Sequence, residues 1–249
     1  MGLMDAVVVY EEFGRAMAAS PHFDSCVMAG GVLAAAGSQE QKDGWLPGIA
    51  SGEKIVVPAW LEPGNGCGPR GVQMRACPDG GGFVLDGVIE AVPGVGDVGN
   101  LLVPASVEDA PALLLVDAGI EGLEITRHDY IDRGRRLCTV AFASVKGDAG
   151  SLLASGEKAL AAVARASDLG RVALEAEACG LASRVLEITV DYAKMREQFG
   201  RPIDSFQAIQ HKCADMLVEV EFAKSAAYGA CFAAAHDEPD FLECAALAK

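Results

Sequence analysis

The sequence predicts an α+β fold in three parts: a helical segment, a small β-sandwich or barrel, and a C-terminal helical bundle. Apolar residues recur at helical spacing in the first fifty residues and again in the last hundred. Between these parts glycine and proline become frequent, and short β-branched runs alternate with turns. We therefore expect boundaries that give residues 1–53, 54–150 and 151–249.

The first segment shows three helical stretches. Residues 7–13 begin an amphipathic helix, and the Ala-rich run 27–36 has a high intrinsic helix propensity. Ser38 followed by Gln41 is the pattern of a capping box, which predicts a third helix ending near residue 52.

The middle segment contains seven short apolar runs that we interpret as strands. They are IVVPAW, GVQMRAC, GGFVLDGVI, NLLVPAS, ALLLVD, LEITRH and LCTVAFASV. Strands that are this short and this regularly spaced are typical of a sandwich or a barrel.

Composition excludes several classes of function. A formal net charge of −15 argues against nucleic acid or an anionic membrane as the main partner, although a local basic patch can still bind an anion. Eight cysteines occur without a CxxC pair or a metal-ligand spacing, which indicates reduced thiols in a cytoplasmic protein. No run is apolar enough to span a membrane, and the first residues lack a signal-peptide pattern.

The most informative stretch is residues 191–216, DYAKMREQFGRPIDSFQAIQHKCADM. Its spacing predicts the end of one helix, a tight turn and the start of another. Gly200 can adopt the left-handed conformation that closes a helix, and Pro202 cannot continue it. Asp204 or Ser205 is expected to cap the next helix.

Polar side chains are concentrated in this turn: Arg196, Gln198, Arg201, Gln207, Gln210 and His211. An arginine offers a planar fork that suits phosphate oxygens, and a glutamine both donates and accepts hydrogen bonds. A solvated helical hairpin is the simpler interpretation of the same spacing.

The pattern RxQFGxPIxxFQxxQHxxADM closely resembles the C-terminal signature of the acyl-CoA dehydrogenase family. The runs EEFGRAMAASP and GSQEQKDGWLPGIASGE resemble the end of that family's N-terminal helical domain. In the family, the residues matching Arg196 and Gln207 cross a dimer interface to the pyrophosphate and ADP part of the neighbour's FAD. The resemblance implies cofactor binding by Arg196, Gln198, Phe199 and Gln207.

A second stretch, AWLEPGNGCGP at 59–69, resembles the family loop leu-thr-glu-pro-gly-x-gly-ser-asp. A Gly-rich loop after a strand can present backbone N–H groups to a ligand, although an ordinary β-turn has the same composition. Through the resemblance, the cofactor-binding residues implied here are Glu62, Gly64, Gly66 and Cys67.

Four positions depart from the family at the flavin pocket of the chain itself. Leu61 replaces a threonine and Cys67 replaces a serine, so hydroxyl donors to the flavin are lost or weakened. In the next flavin element Ala91 replaces an aromatic residue and Pro93 replaces a hydroxyl residue. The resemblance therefore implies a weakened flavin site in this chain.

Asp168 and Arg171 resemble a DxxR element near the family's acyl-CoA entrance, which makes them candidates for substrate binding. A surface ion pair at i, i+3 remains the alternative.

Gly170 occupies the position where a minority of members carries the catalytic glutamate. The usual base lies on a later helix that matches nothing within these 249 residues, so no catalytic residue is assigned. We expect the chain to represent the middle part of a full-length member, truncated at both ends.

The resemblance implies an FAD-dependent acyl-CoA dehydrogenase that removes hydrogen from the α and β carbons of an acyl-CoA thioester. It also implies a homo- or hetero-oligomer, dimer or tetramer, formed through the C-terminal helices, with electron-transfer flavoprotein as electron acceptor. The alternative is a degenerate, non-catalytic subunit that pairs with a catalytic sibling and contacts the sibling's FAD.

Overall fold

The computed structural model describes residues 3–64, 72–94, 99–132 and 134–248. The chain folds into two compact units. Residues Ser20–Ser167 form one, which we call the sheet unit, and Met1–Ala19 together with Asp168–Lys249 form the other, which we call the helical unit.

The sheet unit begins with helices. They are a π-helix at Phe23–Ala29, α2 at Gly30–Ala36 and α3 at Gln39–Ser51. The predicted capping box is present, because the Ser38 Oγ accepts from the Gln41 amide at 3.2 Å and the Gln41 side chain accepts from the Ser38 amide at 2.9 Å. Gly52 ends α3 in the left-handed conformation, at φ 79°.

Eight of the described strands form one mixed sheet. Their bounds are β1 Val56–Pro58, β2 Arg75–Asp79, β3 Gly82–Pro93, β4 Asn100–Val107, β5 Ala110–Asp117, β6 Leu123–Arg127, β7 Leu137–Gly147 and β8 Leu152–Ser155. The order is β6-β7-β3-β2-β4-β5-β8, with β1 parallel to β4. The seven predicted strands are all present, and β8 is an additional strand that pairs with β5.

Side chains from β1 to β7 reach one interior, so the sheet curves around its own core. Leu85 on β3, Leu101 on β4 and Val140 on β7 are completely buried there. The other face of β4 is also covered, because Leu102 joins a second core with the helices at residues 29–36. Burial on both faces explains why β4 and β5 lack a clear alternation of apolar and polar residues.

Both tryptophans of the chain lie in the sheet unit, packed against this second core. Trp45 is on α3 and Trp60 follows β1, and both are partly buried. The Lys54 ammonium lies 4.7 Å from the centre of the Trp45 ring, which is a cation–π contact.

The helical unit contains α1 and the residues from 168 onward. The element bounds are α1 Leu3–Ala16, α4 Gly156–Met195, β9 Glu197–Gln198, β10 Arg201–Pro202, a 3₁₀ turn Ile203–Ser205, α5 Gln207–Ala235 and α6 Phe241–Ala248. None of the helices that the structure describes combines the length and apolar character needed to cross a bilayer.

Two glycines bring α1 and α4 into close contact. A Cβ at Gly14 would lie 1.7 Å from the Glu177 carbonyl oxygen, and a Cβ at Gly180 would lie 1.8 Å from the Glu11 carbonyl oxygen. Next to this crossing the Arg15 guanidinium forms a two-pronged ion pair with Glu187. Glycine is required at both positions because any side chain would separate the helices.

Candidate functional site

The polar turn predicted at the end of α4 is a short β-hairpin, which we call the elbow and define as residues 196–207. α4 ends at Met195, and Gln198 pairs with Arg201 in the register of β9 and β10. Phe199 and Gly200 form the tip with φ of 56° and 77°. The Ile203 amide donates to the Arg196 carbonyl at 2.8 Å, which fastens the hairpin to the end of the helix.

Two sequence-based expectations about this turn are wrong. Gly200 is left-handed, but it lies at the hairpin tip, five residues after the end of α4 at Met195, so it does not close that helix. Neither Asp204 nor Ser205 caps α5, which starts at Gln207 with no side-chain cap. A 3₁₀ turn, Ile203–Ser205, separates the hairpin from α5. Within this turn the Ser205 hydroxyl donates to the Pro202 carbonyl at 2.6 Å instead of accepting from an amide of α5.

Aromatic rings hold the shape of the elbow. Phe199 meets the ring of Phe206 edge to face, with centroids 6.1 Å apart. The Arg201 guanidinium lies 4.1 Å above the same Phe206 ring. Phe199 is nonetheless 93% exposed, so a large apolar ring in a strained backbone conformation faces outward. The sequence carries no signal that Phe206 contacts both side chains, because these contacts depend on the path of the 3₁₀ turn.

The four predicted cofactor-binding residues of the elbow all lie at its surface: Arg196, Gln198, Phe199 and Gln207. Within the described ranges the Arg196 guanidinium makes no hydrogen bond or ion pair, so its full donor set is available to a ligand. The Gln198 amide nitrogen donates to the Glu197 carbonyl at 2.8 Å, which leaves its oxygen free to accept. Gln207 is the first residue of α5, at the positive end of a 29-residue helix.

The second predicted cofactor region lies in the sheet unit, where two sequence elements meet. The Leu61 carbonyl accepts from the Glu90 amide at 2.7 Å, which joins the 59–64 segment to β3. The buried Glu62 carboxylate accepts hydrogen bonds from the amides of Gln73 and Met74. Its oxygens therefore serve the fold, and a ligand contact at Glu62 would have to come from the backbone.

Gly64 adopts φ 72° with open space around it, so its backbone is accessible. Gly66 and Cys67, the other two predicted residues of this loop, lie outside the described residues.

The two positions in β3 that depart from the family pattern, Ala91 and Pro93, lie in an irregular part of the strand. Ile89 pairs with Val140 and Val92 with Cys138, so β3 carries one extra residue between these pairs. Ala91 lies in this bulge at φ 51°, a conformation in which a large aromatic residue would be strained. Pro93 pairs with Leu137 and contributes no amide proton.

The predicted substrate pair forms a local ion pair. The Arg171 Nη1 lies 2.7 Å from the Asp168 Oδ1, one turn apart on α4. Half of the Arg171 side chain is exposed, so its other nitrogens can still donate to a ligand. Gly170 is buried beside them and supplies no carboxylate.

A polar network connects α1 with α5 in the helical unit. The Glu11 carboxylate accepts from the Tyr228 hydroxyl at 2.8 Å and pairs with the Lys224 ammonium at 2.9 Å. The hydrogen bond to Glu11, together with burial, raises the pKa of Tyr228 to about 12. Burial alone would raise the pKa of Glu11, but hydrogen bonds from Lys224 and Tyr228 outweigh it and lower that pKa.

Cysteine chemistry is confined to free thiols among the residues that the structure describes. They are Cys26, Cys77, Cys138, Cys179, Cys213, Cys231 and Cys244. Burial raises the pKa of the Cys231 thiol to about 11, which keeps it protonated and unreactive. No group of three potential metal ligands occurs in the same described ranges.

Comparison with known proteins identifies the family. The N-terminal domain of acyl-CoA dehydrogenases matches residues 1–53, and the C-terminal domain of acyl-CoA dehydrogenases matches residues 160–249. The chain belongs to the acyl-CoA dehydrogenase family. The predicted resemblance and the predicted mixed helix and sheet fold are both confirmed.

Individual acyl-CoA dehydrogenases are similar along nearly the whole chain. Acyl-CoA dehydrogenase FadE27 of Mycobacterium tuberculosis is 33% identical over 98% of this chain and 62% of its own length. The ChsE4–ChsE5 complex from the same organism is 31% identical with a TM-score of 0.84, over 99% of this chain and 65% of that chain. This chain thus spans somewhat less than two thirds of these relatives.

A glutaryl-CoA dehydrogenase from Mycobacterium smegmatis, determined in complex with FADH2, is 26% identical with a TM-score of 0.81. The match covers 89% of this chain and 57% of that chain. That relative, which shares the fold, was thus solved with a reduced flavin bound.

Proposed function

We propose that this chain is part of an FAD-dependent acyl-CoA dehydrogenase that oxidises an acyl-CoA thioester at its α and β carbons. Its elbow binds the pyrophosphate and ADP part of an FAD held by a neighbouring subunit. The observation that supports this most directly is the uncompensated, exposed Arg196 guanidinium at the end of α4. An electron-transfer flavoprotein is the proposed electron acceptor.

The elbow suits a dinucleotide for three reasons. Arg196 can donate two parallel hydrogen bonds to phosphate oxygens. Phe199 offers an exposed apolar ring for stacking or edge contact. Gln207 lies at the N-terminal end of α5, where the helix dipole and its first amides favour an anion.

When bound, FAD would accept the hydride that leaves the β carbon of the thioester. The elbow residues orient the distant end of the cofactor, and the Asp168–Arg171 pair would contact the CoA moiety through the exposed guanidinium nitrogens. None of the described carboxylates is assigned as the base that removes the α proton. The seven free thiols of the described ranges fit a reducing compartment such as the cytoplasm.

A second candidate function is a non-catalytic subunit that lends its elbow to a catalytic sibling. The region of this chain that would contact a flavin ring fits it poorly: Leu61 and Pro93 offer no hydroxyl, and Ala91 lies in a strained bulge. The Glu62 carboxylate is already bound by backbone amides. The relative solved as a ChsE4–ChsE5 complex is an assembly of two different chains.

The two functions predict different flavin stoichiometries. The non-catalytic subunit, purified alone with added FAD, should emerge from gel filtration without visible flavin absorbance. Co-expressed with an acyl-CoA dehydrogenase partner, it should give a heteromer that contains flavin. If the chain purified alone retains one FAD per copy, the non-catalytic role is excluded and the dehydrogenase role remains.

The elbow itself is tested by Arg196→Ala, which should lower flavin retention of the flavin-containing assembly at least tenfold, because charge-assisted phosphate contacts contribute about 1.5–3 kcal/mol. Arg196→Lys retains the charge but loses the two-pronged geometry. Its flavin retention should therefore lie between that of the parent and that of the alanine variant. Lys158→Ala removes another exposed cation and should change nothing. Unaltered retention in Arg196→Ala would refute the proposal.

A further inference from the structure

Trp60 lies beside the bulge of β3. The Glu90 amide donates to the Leu61 carbonyl, and this bridge between the two segments is antiparallel. Continuing the register by one residue places Trp60 next to Ala91. Ala91 lies in the bulge at φ 51°, so a small side chain occupies this point of β3 and a residue with a large ring is beside it.

Thr139 on β7 lies on the other side of the same bulge. Val140 pairs with Ile89 and Cys138 pairs with Val92, so Thr139 lies between these two pairs. It therefore faces the stretch of β3 that carries the extra residue. At this level β3 is flanked by a tryptophan on one side and by a hydroxyl residue on the other.

Both flanking side chains point to the outer face of the curved sheet. Side chains alternate between the two faces of a strand. Ala59 and Cys138 are buried in the interior core, so the residues that follow them, Trp60 and Thr139, point outward. Trp60 packs against the second core, yet it and Thr139 are both only partly buried. Part of each side chain is therefore accessible to a ligand on this face.

The Thr139 hydroxyl is held by the segment that follows β6. Its Oγ1 atom lies 2.7 Å from the Nε2 atom of His128, and the His128 ring meets Tyr130 edge to face with centroids 5.9 Å apart. A hydroxyl can donate one hydrogen bond and accept two. Thr139 therefore keeps hydrogen-bonding capacity for a ligand in either tautomer of the imidazole.

The row from Trp60 through Ala91 to Thr139 has the dimensions and chemistry of a binding site for a flat ring. Adjacent strands lie about 4.8 Å apart, so the two ends of the row are about 10 Å apart with β3 between them. One end offers an aromatic surface, the middle carries only a methyl group, and the other end offers a hydroxyl. Such a row suits a planar heteroaromatic system with a polar edge.

We propose that Trp60 and Thr139 contact the isoalloxazine ring of an FAD bound to this chain. They replace the hydroxyl and aromatic groups that are absent at Leu61, Ala91 and Pro93. Trp60 supplies an apolar surface for the ring, and Thr139 supplies a hydrogen bond to its polar edge. This inference rests on the proposed function, because it takes FAD as the flat ligand.

The test is the dissociation constant of FAD, measured by titration of the purified chain and followed through the visible flavin absorbance. Trp60→Leu should raise this constant about tenfold through loss of the aromatic contact. Thr139→Val, which keeps the shape of the side chain without its hydroxyl, should raise it about fivefold. Trp60→Phe and Thr139→Ser keep a ring and a hydroxyl, and each should bind FAD within about threefold of the parent.

Thr126→Val is the matched control for the hydroxyl. Thr126 pairs with Thr139 in the register of β6 and β7, so it lies one strand further from the bulge. Its substitution should leave the dissociation constant of FAD unchanged. Circular dichroism checks that each variant is folded, and if Trp60→Leu is not, Thr139→Val decides the outcome.

A second measurement separates the ring contacts from the elbow. At saturating FAD, Trp60→Leu and Thr139→Val should change the visible absorption band of the bound flavin, because both alter the surroundings of the ring. Arg196→Ala acts at the distant pyrophosphate end. It should therefore weaken flavin retention and leave the absorption band of the flavin that remains bound unchanged.

A parent chain that binds no FAD would overturn the inference. So would a dissociation constant and an absorption band like those of the parent in both Trp60→Leu and Thr139→Val, or equal weakening in Thr126→Val and Thr139→Val. In each of these cases the role of Arg196 is decided by its own variant, so failure of the ring contacts is distinct from failure of the elbow.

Discussion

The carbonyl of Leu61 accepts a hydrogen bond of 2.7 Å from the amide of Glu90. These residues are 29 positions apart, yet Leu61 is itself one of the departures from the family pattern and Glu90 is adjacent to another, Ala91. The bond brings the 59–64 segment against the bulge that contains Ala91. The positions at which hydroxyl and aromatic groups are replaced, Leu61 and Ala91, are therefore neighbours in the sheet unit.

Glu62 should act in stability and not in cofactor binding. Glu62→Gln should destabilise the chain by about 2 kcal/mol, because a buried carboxylate that accepts two amides is replaced by a group with its own N–H. Urea unfolding followed by circular dichroism measures this. Glu53→Gln, at an exposed position, should be neutral. A neutral Glu62→Gln with weakened flavin binding would contradict this structural role.

Phe199 should act in cofactor binding and not in stability. Phe199→Asn should leave the unfolding free energy within about 0.5 kcal/mol, because relief of the left-handed strain offsets the lost ring contact with Phe206. Flavin retention in the assembled protein should nevertheless fall. Phe222→Asn, on an exposed helical position, provides the control with unchanged retention. If Phe199→Asn unfolds the chain instead, the ring has a structural role.

The contact of α1 with α4 can be tested through its glycines. Gly14→Ala and Gly180→Ala should each cost about 2–3 kcal/mol, since either methyl group pushes the helices apart. The double variant should cost less than the sum, because one displacement relieves both clashes. Gly229→Ala has open space on α5 and should stabilise by about 0.5–1 kcal/mol. If the losses in free energy of unfolding at Gly14 and Gly180 are additive, the two glycines do not act in the same helix contact.

The Tyr228 hydroxyl makes stability depend on alkaline pH. Its pKa is raised from 10.0 to about 12, so the folded state favours the protonated form. This contribution is complete below pH 10 and is lost as the pH rises towards 12. Tyr228→Phe should cost about 1 kcal/mol at neutral pH and show a shallower decline between pH 10 and 12.

The matched control for this titration is Tyr130→Phe, at an exposed position. This variant should have the same free energy of unfolding as the parent and the same decline of that free energy between pH 10 and 12. An unchanged slope in Tyr228→Phe would contradict this role of Tyr228 and assign the alkaline dependence to other groups with a raised pKa, such as Lys224 and Cys231.

Local sequence signals predicted most of the elements. Ser38 and Gln41 predicted a helix start, and β-branched runs predicted strands, because both signals act over a few residues. The hairpin at Phe199–Gly200 was missed, since a two-residue strand carries no periodicity. β8 was missed because it is short and its pairing partner on β5 is forty residues earlier.

The elbow residues could be predicted only as a group. The signature around Arg196 indicated a cofactor contact, but not that Arg201 would stack on Phe206, which depends on the path of the 3₁₀ turn. The engagement of Glu62 by Gln73 and Met74 was equally invisible, because it joins positions on two sides of a loop. Such contacts depend on tertiary structure, which composition and spacing do not encode.

Trp45 and Trp60 both belong to the sheet unit, so the intrinsic indole emission of this protein reports on that unit alone. The ellipticity at helical wavelengths arises largely from α1, α4 and α5. Denaturation curves recorded by the two signals would therefore coincide only if both units lose structure together. A separation of the two midpoints would reveal which half of the molecule fails first, with no label attached to either.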